Sequence, residues 1–350
     1  MRTQARFTDV PASQGHYESF YLKASAPGGG RSVWLRHTTH QRPGEPVQGS
    51  LWLTAFDADA PGPRATKATF PATEVSAPDG AYIRIGESEI RPGAAKGSIS
   101  GDSPHAAWDL TFTDEADALR HLPYEFMYRS KLPRTKMLSP HPGAVFSGRV
   151  EIGGETLELD GWPGMVGHNW GAEHAERWTW IQASDLGGHR GDYIDVAAGR
   201  IKLGRLTTPW LANGRVVLDG ETYTLGGLDK VYGTELSEEA GGATFTFPGK
   251  NVNVKGRVSA PLKDFVAWVY ADPAGPEHNA LNCSIADMEL KIERPGEKHA
   301  RVEITGAAVY ELGTRDTDHA SRSSRSGTAD GAAGGRGRGD VGALPRGLGI

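Results

Sequence analysis

A single cysteine, Cys283, stands in 350 residues. One thiol closes no intrachain disulfide, so packing must hold the chain together, and a reducing, cytoplasmic setting is expected. Nowhere do about 18 apolar residues run together, so no membrane-spanning helix is expected. The stretch from Met1 to Gln14 carries Arg2 and Arg6 but no apolar core of the signal-peptide kind. Charge of neither sign dominates: the formal net charge is −5. That is too mild for a field that holds nucleic acid or an anionic membrane, so neither is expected as a partner. Helical periodicity is also scarce, and only short stretches such as Glu115–Leu119 could form helical turns.

What is present points to β structure. The 47 glycines and 22 prolines suit many turns, and nine tryptophans suit sheets and apolar pockets better than a solvated surface. Short alternating segments fill the chain: Tyr17–Lys23, Ser32–Thr39, Leu51–Phe56, Tyr82–Ile90 and Ala107–Thr113, then Val145–Ile152, Arg177–Ser184, Tyr193–Leu203, Val216–Leu218, Thr244–Phe247, Val252–Val258, Phe265–Tyr270, Asn282–Ile292 and Val302–Tyr310. Trp108, Leu110 and Phe112 fall on one strand face, and Asp109, Thr111 and Thr113 on the other. Many short strands at even spacing predict sandwiches or barrels. The length accommodates two domains of roughly 150 residues. The expected organisation is an arm over 1–13, a first β domain over 14–119, a proline-rich connection over 120–143 and a second β domain over 144–313. The remainder, 314–350, is Gly-, Ser- and Arg-rich with no apolar face, so a disordered tail is expected there.

Several motifs are decoys. Gly337, Gly339 and Gly342 match a dinucleotide fingerprint but lack a preceding strand. Arg338-Gly339-Asp340 lies in the same tail, and Asn282-Cys283-Ser284 is a glycosylation sequon only in form. Gly97-Ser98-Ile99-Ser100-Gly101 has isoleucine where a nucleophile elbow needs serine. Cys283 sits in an apolar run and suits a packed core thiol.

The densest information lies in Gly161–Trp180, where Trp162, Trp170, Trp178 and Trp180 accompany His168, His174, Glu173, Glu176 and Arg177. A glycine-rich turn delivering His168 and Trp170, followed by a strand carrying Trp178, Trp180 and Gln182 on one face, is the expected shape. Gly167-His-Asn-Trp-Gly171, with Arg177-Trp-Thr-Trp180, Tyr17-Glu-Ser-Phe-Tyr21 and Ser32-Val-Trp-Leu-Arg36, resembles a superfamily of two-domain lipocalin-like proteins. This superfamily includes the carotenoid 1,2-hydratases (hydroxyneurosporene synthases) and AttH-type proteins, and more distantly tocopherol cyclases and lipocalin-like Diels–Alderases. The resemblance spans about Gln14 to Leu312. It implies an all-β fold of two lipocalin-like antiparallel barrels or sandwiches in tandem. The hydratase pattern Asp-His-Asn-Trp-Gly with a later Tyr-x-Asp maps onto His168, Trp170, Tyr193 and Asp195, with Gly167 standing in place of the aspartate.

The chemistry so implied is cofactor-free. Asp195, kept neutral by an apolar pocket, would protonate a carbon–carbon double bond. His168 would orient it or activate water, and Trp170 and Tyr193 would face the cation. Trp162, Asn169, Trp178, Trp180 and Gln182 would line a pocket for an apolar isoprenoid- or polyketide-like molecule. Hydration, cyclisation or isomerisation would follow; the alternatives are a non-catalytic carrier or sensor, and an interaction module without a cavity. Each of these residues also fits a purely structural role. A metal at His168 and His174 with Glu173 or Glu176 has suitable ligand types but not the spacing of a known motif, so no metal is expected. Glu173 and Glu176 as a glycosidase pair would need a helix to align them.

Overall fold

The computed structural model describes residues 3–101, 104–315 and 342–343. Two antiparallel sheets contain nearly all the strands, joined by short turns and six 3-10 turns among the described residues. The first sheet begins as a meander of His16–Ser25, Arg31–Gln41, Gln48–Asp57 and Arg64–Phe70. The long strand Glu155–Gly171 then pairs with His16–Ser25 and carries the sheet on through Val145–Ile152, Ala106–Thr113 and Ala94–Ile99 to the hairpin Ile83–Ile85 and Ser88–Arg91. The sheet curls, bringing Gln48–Asp57 against Ile83–Ile85. It encloses a core of Phe20, Leu35, Leu53, Trp108, Phe146 and Trp162.

In the second sheet, eight strands close into a barrel. They run in the order Arg177–Ser184, Tyr193–Arg200, Leu211–Leu218, Glu221–Gly226, Gly242–Gly249, Val252–Ser259, His278–Glu293 and Ala300–Thr314, the last returning to the first. All-β architecture is therefore as expected. Alternation is obeyed where it was legible: Trp108, Leu110 and Phe112 are buried while Asp109, Thr111 and Thr113 are exposed.

The differences have local causes. Tyr82–Ile90 is a hairpin because Gly86, at φ 56°, turns the chain. Glu115–Leu119 forms no helix. The connection 120–143 contains the strand Thr135–His141, paired with Glu155–Gly171. Val145–Ile152 and Glu155–Gly171, expected in the second unit, belong to the first sheet, so the sheets divide between Gly171 and Arg177. At the C-terminus, order continues through Thr314 to Arg315, and Gly342–Ala343 pairs with Val266 and Ala267. The rest of the expected tail lies outside the described residues, as do two of the three fingerprint glycines, Gly337 and Gly339. Cys283 is fully buried, as expected.

The two sheets meet over a large apolar contact, in which Trp52 of the first lies edge-on to Trp268 of the second at 4.9 Å. One charge is trapped nearby. Lys23 is fully buried, and its ammonium donates to the Ala307 carbonyl across the junction at 2.7 Å. Burial pulls its pKa down from 10.5 to about 7. Between those values the unfolded chain binds a proton that the folded chain does not, so stability rises with pH in that window. A Lys23→Met protein should therefore resist urea better than the parent at pH 7. Its advantage should shrink by about 2 kcal/mol by pH 9, as the parent gains stability. A pH-independent difference between the two urea midpoints would refute this account.

Candidate functional site

A cavity of about 790 Å³ opens between the sheets, a size suited to a small organic ligand. Tyr17, Tyr21 and Arg36 come to it from the first sheet, Trp178, Trp180, Tyr270 and Glu311 from the second, and 121–137 closes one side. Apolar side chains pack the core enclosed by each sheet.

Glu155–Gly171 delivers the glycine-flanked motif as a strand rather than as a turn, and this decides where its residues point. Asn169 faces the cavity. Its neighbours His168 and Trp170 are buried on the opposite face of the strand, away from the cavity wall. His168 stacks on Phe20 at 3.9 Å, and its Nε2–H donates to Glu18 at 2.6 Å. Burial, only partly offset by Glu18, lowers the His168 pKa and keeps the ring neutral. This is a structural clasp, because Glu18 also accepts the Arg6 and Phe7 backbone N–H groups at 2.9 and 2.8 Å.

The glycines allow strands to approach closely. A Cβ on Gly167 would sit 2.2 Å from Cζ of Tyr21. The Tyr21 phenol, which lines the cavity, thus fills the space an aspartate at 167 would need, which gives the departure from the hydratase pattern a steric basis.

Of the other expected residues, Trp178 and Trp180 are on the cavity wall. Trp162 belongs to the core of the first sheet. Gln182 is wholly buried and donates to Ser184 at 2.8 Å, and Tyr193 accepts from Arg215 at 3.0 Å; neither lines the cavity. Asp195 lies behind the wall, where it accepts from Trp180 Nε1 at 3.0 Å and from Ser139 Oγ at 2.6 Å, with His121 at 3.7 Å. Burial alone would raise its pKa, but the neighbouring His121 and these hydrogen bonds outweigh it and hold the pKa below the ordinary value. Asp195 is therefore ionised, contrary to the neutral acid expected from the sequence.

The unexpected group is His174. Its ring stacks on Tyr17 at 3.8 Å and lines the cavity. Nδ1 lies 2.7 Å from Asp272, which also accepts the His174 backbone N–H, while Nε2 is buried without a partner. A carboxylate at Nδ1 fixes the proton there and leaves the Nε2 lone pair free. Burial, partly offset by Asp272, brings the His174 pKa down to about 4. Burial raises that of Asp272, but His174 and His278 outweigh it and hold the carboxyl well below its usual range. Near His174, Arg36 lies 4.1 Å from the Tyr270 ring centroid and donates from Nε to Ser19 Oγ at 2.6 Å, with no carboxylate paired to it among the described residues. Glu311 instead accepts from Trp178, Tyr270 and Asn282 at 2.9 to 3.1 Å.

His174, Asp272 and His278 bring possible ligand atoms within 4.8 Å of one another. Arg315 and the two histidines already surround the Asp272 carboxylate, however, at 2.7 to 3.1 Å. That arrangement suits a charge relay better than a cation site. The metal set considered from sequence does not assemble: His168 faces away, and Glu173 and Glu176 pair with Arg315.

No protein-family model matches the chain. It is 29% identical over 306 residues to an uncharacterised protein of Mycobacterium tuberculosis, covering 87% of this chain and 88% of the relative. Among solved structures it is similar to a putative AttH of Nitrosomonas europaea, with TM-score 0.53, 12% identity and coverage of 85% and 92% of the two chains. It is also similar to kievitone hydratase from Nectria haematococca, with TM-score 0.49, 11% identity and coverage of 88% and 91%. The chain has the all-β, lipocalin-like fold of the AttH-type proteins.

Proposed function

We propose that the cavity binds an apolar, oxygen-bearing molecule of polyketide-like or prenylated type and hydrates, cyclises or isomerises a carbon–carbon double bond in it. The observation that carries this reading is the unpartnered Nε2 of His174, on a ring that lines an aromatic cavity and is anchored at Nδ1 by an ionised Asp272. With a pKa near 4, His174 is a neutral base throughout the physiological range.

For a double bond conjugated to a carbonyl, the step balances without a cofactor. His174 Nε2 takes a proton from water as the water oxygen bonds to the β-carbon. The π electrons move onto the carbonyl oxygen, where Arg36 meets the developing charge. The α-carbon then recovers the proton from His174. Water replaced by a phenol of the ligand gives cyclisation instead. Asn169 Oδ1, a second buried acceptor without a partner, suits a ligand hydroxyl or the attacking water.

A carrier without turnover is the second reading, favoured by Asp195 being ionised and set back from the wall. The two readings part on a pH profile. With an aryl enone as probe, followed by loss of its conjugated absorption, kcat/KM should be flat through neutrality and fall on the acid side with an apparent pKa of about 4. Quenching of protein tryptophan fluorescence by the probe without any loss of its absorption, across a panel of enones and prenylated phenols, would leave only the carrier.

A further inference from the structure

Seven large apolar side chains stand exposed among the described residues, and six of them are Tyr124, Phe126, Leu132, Leu206, Leu228 and Tyr232. All six lie on three segments, 120–136, 200–207 and 228–233, that contribute Phe126, Leu132, Lys202, Gly204 and Leu228 to the cavity lining. Tyr232 is 96% exposed and Leu206 77%, and the rings of Tyr124 and Phe126 stack on one another at 5.7 Å, outside any core. Apolar groups gathered this way mark an interaction site rather than chance exposure.

Charge is gathered at the same place. Arg120, Arg129, Lys131, Arg134, Lys202 and Arg205 are exposed on the first two segments, where Glu125 is the one acid. Glu173 and Glu176, on the adjoining wall, face Arg134 and Lys202 and temper part of this charge. The rim is still basic on a chain whose net charge is −5. The weak overall charge, which argued against a membrane surface, conceals a local concentration of cations.

We propose that this rim seats on an anionic lipid bilayer and that the ligand passes from the acyl region into the cavity without crossing water. The inference rests on the reading of the cavity as a ligand site and names where the ligand comes from. Leu and aromatic tips at a headgroup boundary, with Lys and Arg against anionic lipid, are the two contributions that hold a protein on a membrane surface. A bilayer fits this rim better than a protein partner, because a folded partner would plug the opening, whereas fluid lipid supplies the guest through it.

The test is sedimentation of the full chain with vesicles of phosphatidylcholine alone, or with about one third phosphatidylglycerol. The anionic vesicles should carry the protein down and the neutral ones should not, and about 0.5 M salt should weaken binding roughly tenfold or more. The double variant Leu206→Ser, Tyr232→Ser changes two exposed side chains that do not line the cavity, and should also lose about tenfold in binding. Absence of sedimentation with anionic vesicles would overturn the proposal. So would unchanged binding of the double variant, which would put the lipid contact elsewhere on the chain. Self-association without vesicles that the same variant abolishes would assign the rim to a second copy of the chain and overturn it equally. Uptake of a soluble apolar dye, read by tryptophan quenching without lipid, separates the levels. Dye uptake without vesicle binding defeats the docking alone, and failure of dye uptake defeats the cavity reading beneath it.

Discussion

Replacing His174 with glutamine should lower turnover of an enone probe by about 10²- to 10⁴-fold while leaving its affinity within a few-fold of the parent. Glutamine keeps a polar side chain that can reach Asp272 but has no nitrogen lone pair basic enough to accept a proton. The loss should fall on kcat, because the ring contributes little to holding an apolar guest against Trp178 and Trp180. The acid limb of the profile, at about 4 in the parent, should vanish from whatever activity remains. Asp272→Asn should show a smaller loss through misorientation of the ring, since it removes the carboxylate that fixes the proton on Nδ1. Retention of full kcat by the glutamine protein would remove His174 from the reaction. A parallel loss of affinity and kcat would make it a packing residue.

Glu18→Gln should cost about 3 kcal/mol of stability at pH 7, the other large effect expected of a single atom change. The carboxylate is fully buried and gathers the Arg6 and Phe7 amides, His168 at 2.6 Å and the nearby His16 ring at 3.8 Å. Glutamine turns one acceptor oxygen into a donor facing other donors. Burial by itself would raise the Glu18 pKa, but these partners outweigh it and bring the value down from 4.5 to about 2. A carboxyl depressed in the folded state adds stability that is fully present above 4.5 and is lost as pH falls toward 2. The parent and variant denaturation curves should therefore converge on acidification, from a gap at neutrality to near coincidence at pH 2. Faster proteolysis within residues 3–10 of the variant would show that the arm has been released. Equal urea midpoints at pH 7 would mean that the cluster contributes no cohesion.

The fold was legible wherever strands carry alternating polarity. Val145–Ile152 is legible in the sequence with the boundaries the structure has, because it presents one apolar and one polar face. Glu155–Gly171 was not, because its C-terminal half is buried on both faces and rich in glycine, so no alternation marks it. The difference between a turn and a strand carries into the site. A turn can present His168, Asn169 and Trp170 together, whereas a strand sends Asn169 to the cavity and the other two to the opposite side. Proximity of the motif to a cavity is legible; the identity of the polar groups on the cavity wall is not. His174 meets Asp272 across 98 positions of chain, and Arg36 and Tyr270 arrive from different sheets. No local spacing encodes such meetings, which exist only once the sheets have closed on each other. Arg36 and Tyr17 fall within the segments that carry the resemblance, yet a buried arginine without a carboxylate has no signature in one dimension.

Because the walls of the cavity are lent by two sheets, an occupant is also a strut between them. Whatever affinity it has adds to the cohesion of the halves, by RT ln(1 + [L]/Kd) once it is in excess. Filling the cavity should then protect most strongly the amides along the Gly171–Arg177 passage and the Trp52–Trp268 contact, sites a guest inside a barrel would leave untouched. It follows that neither sheet, made alone, would possess a binding site to lose.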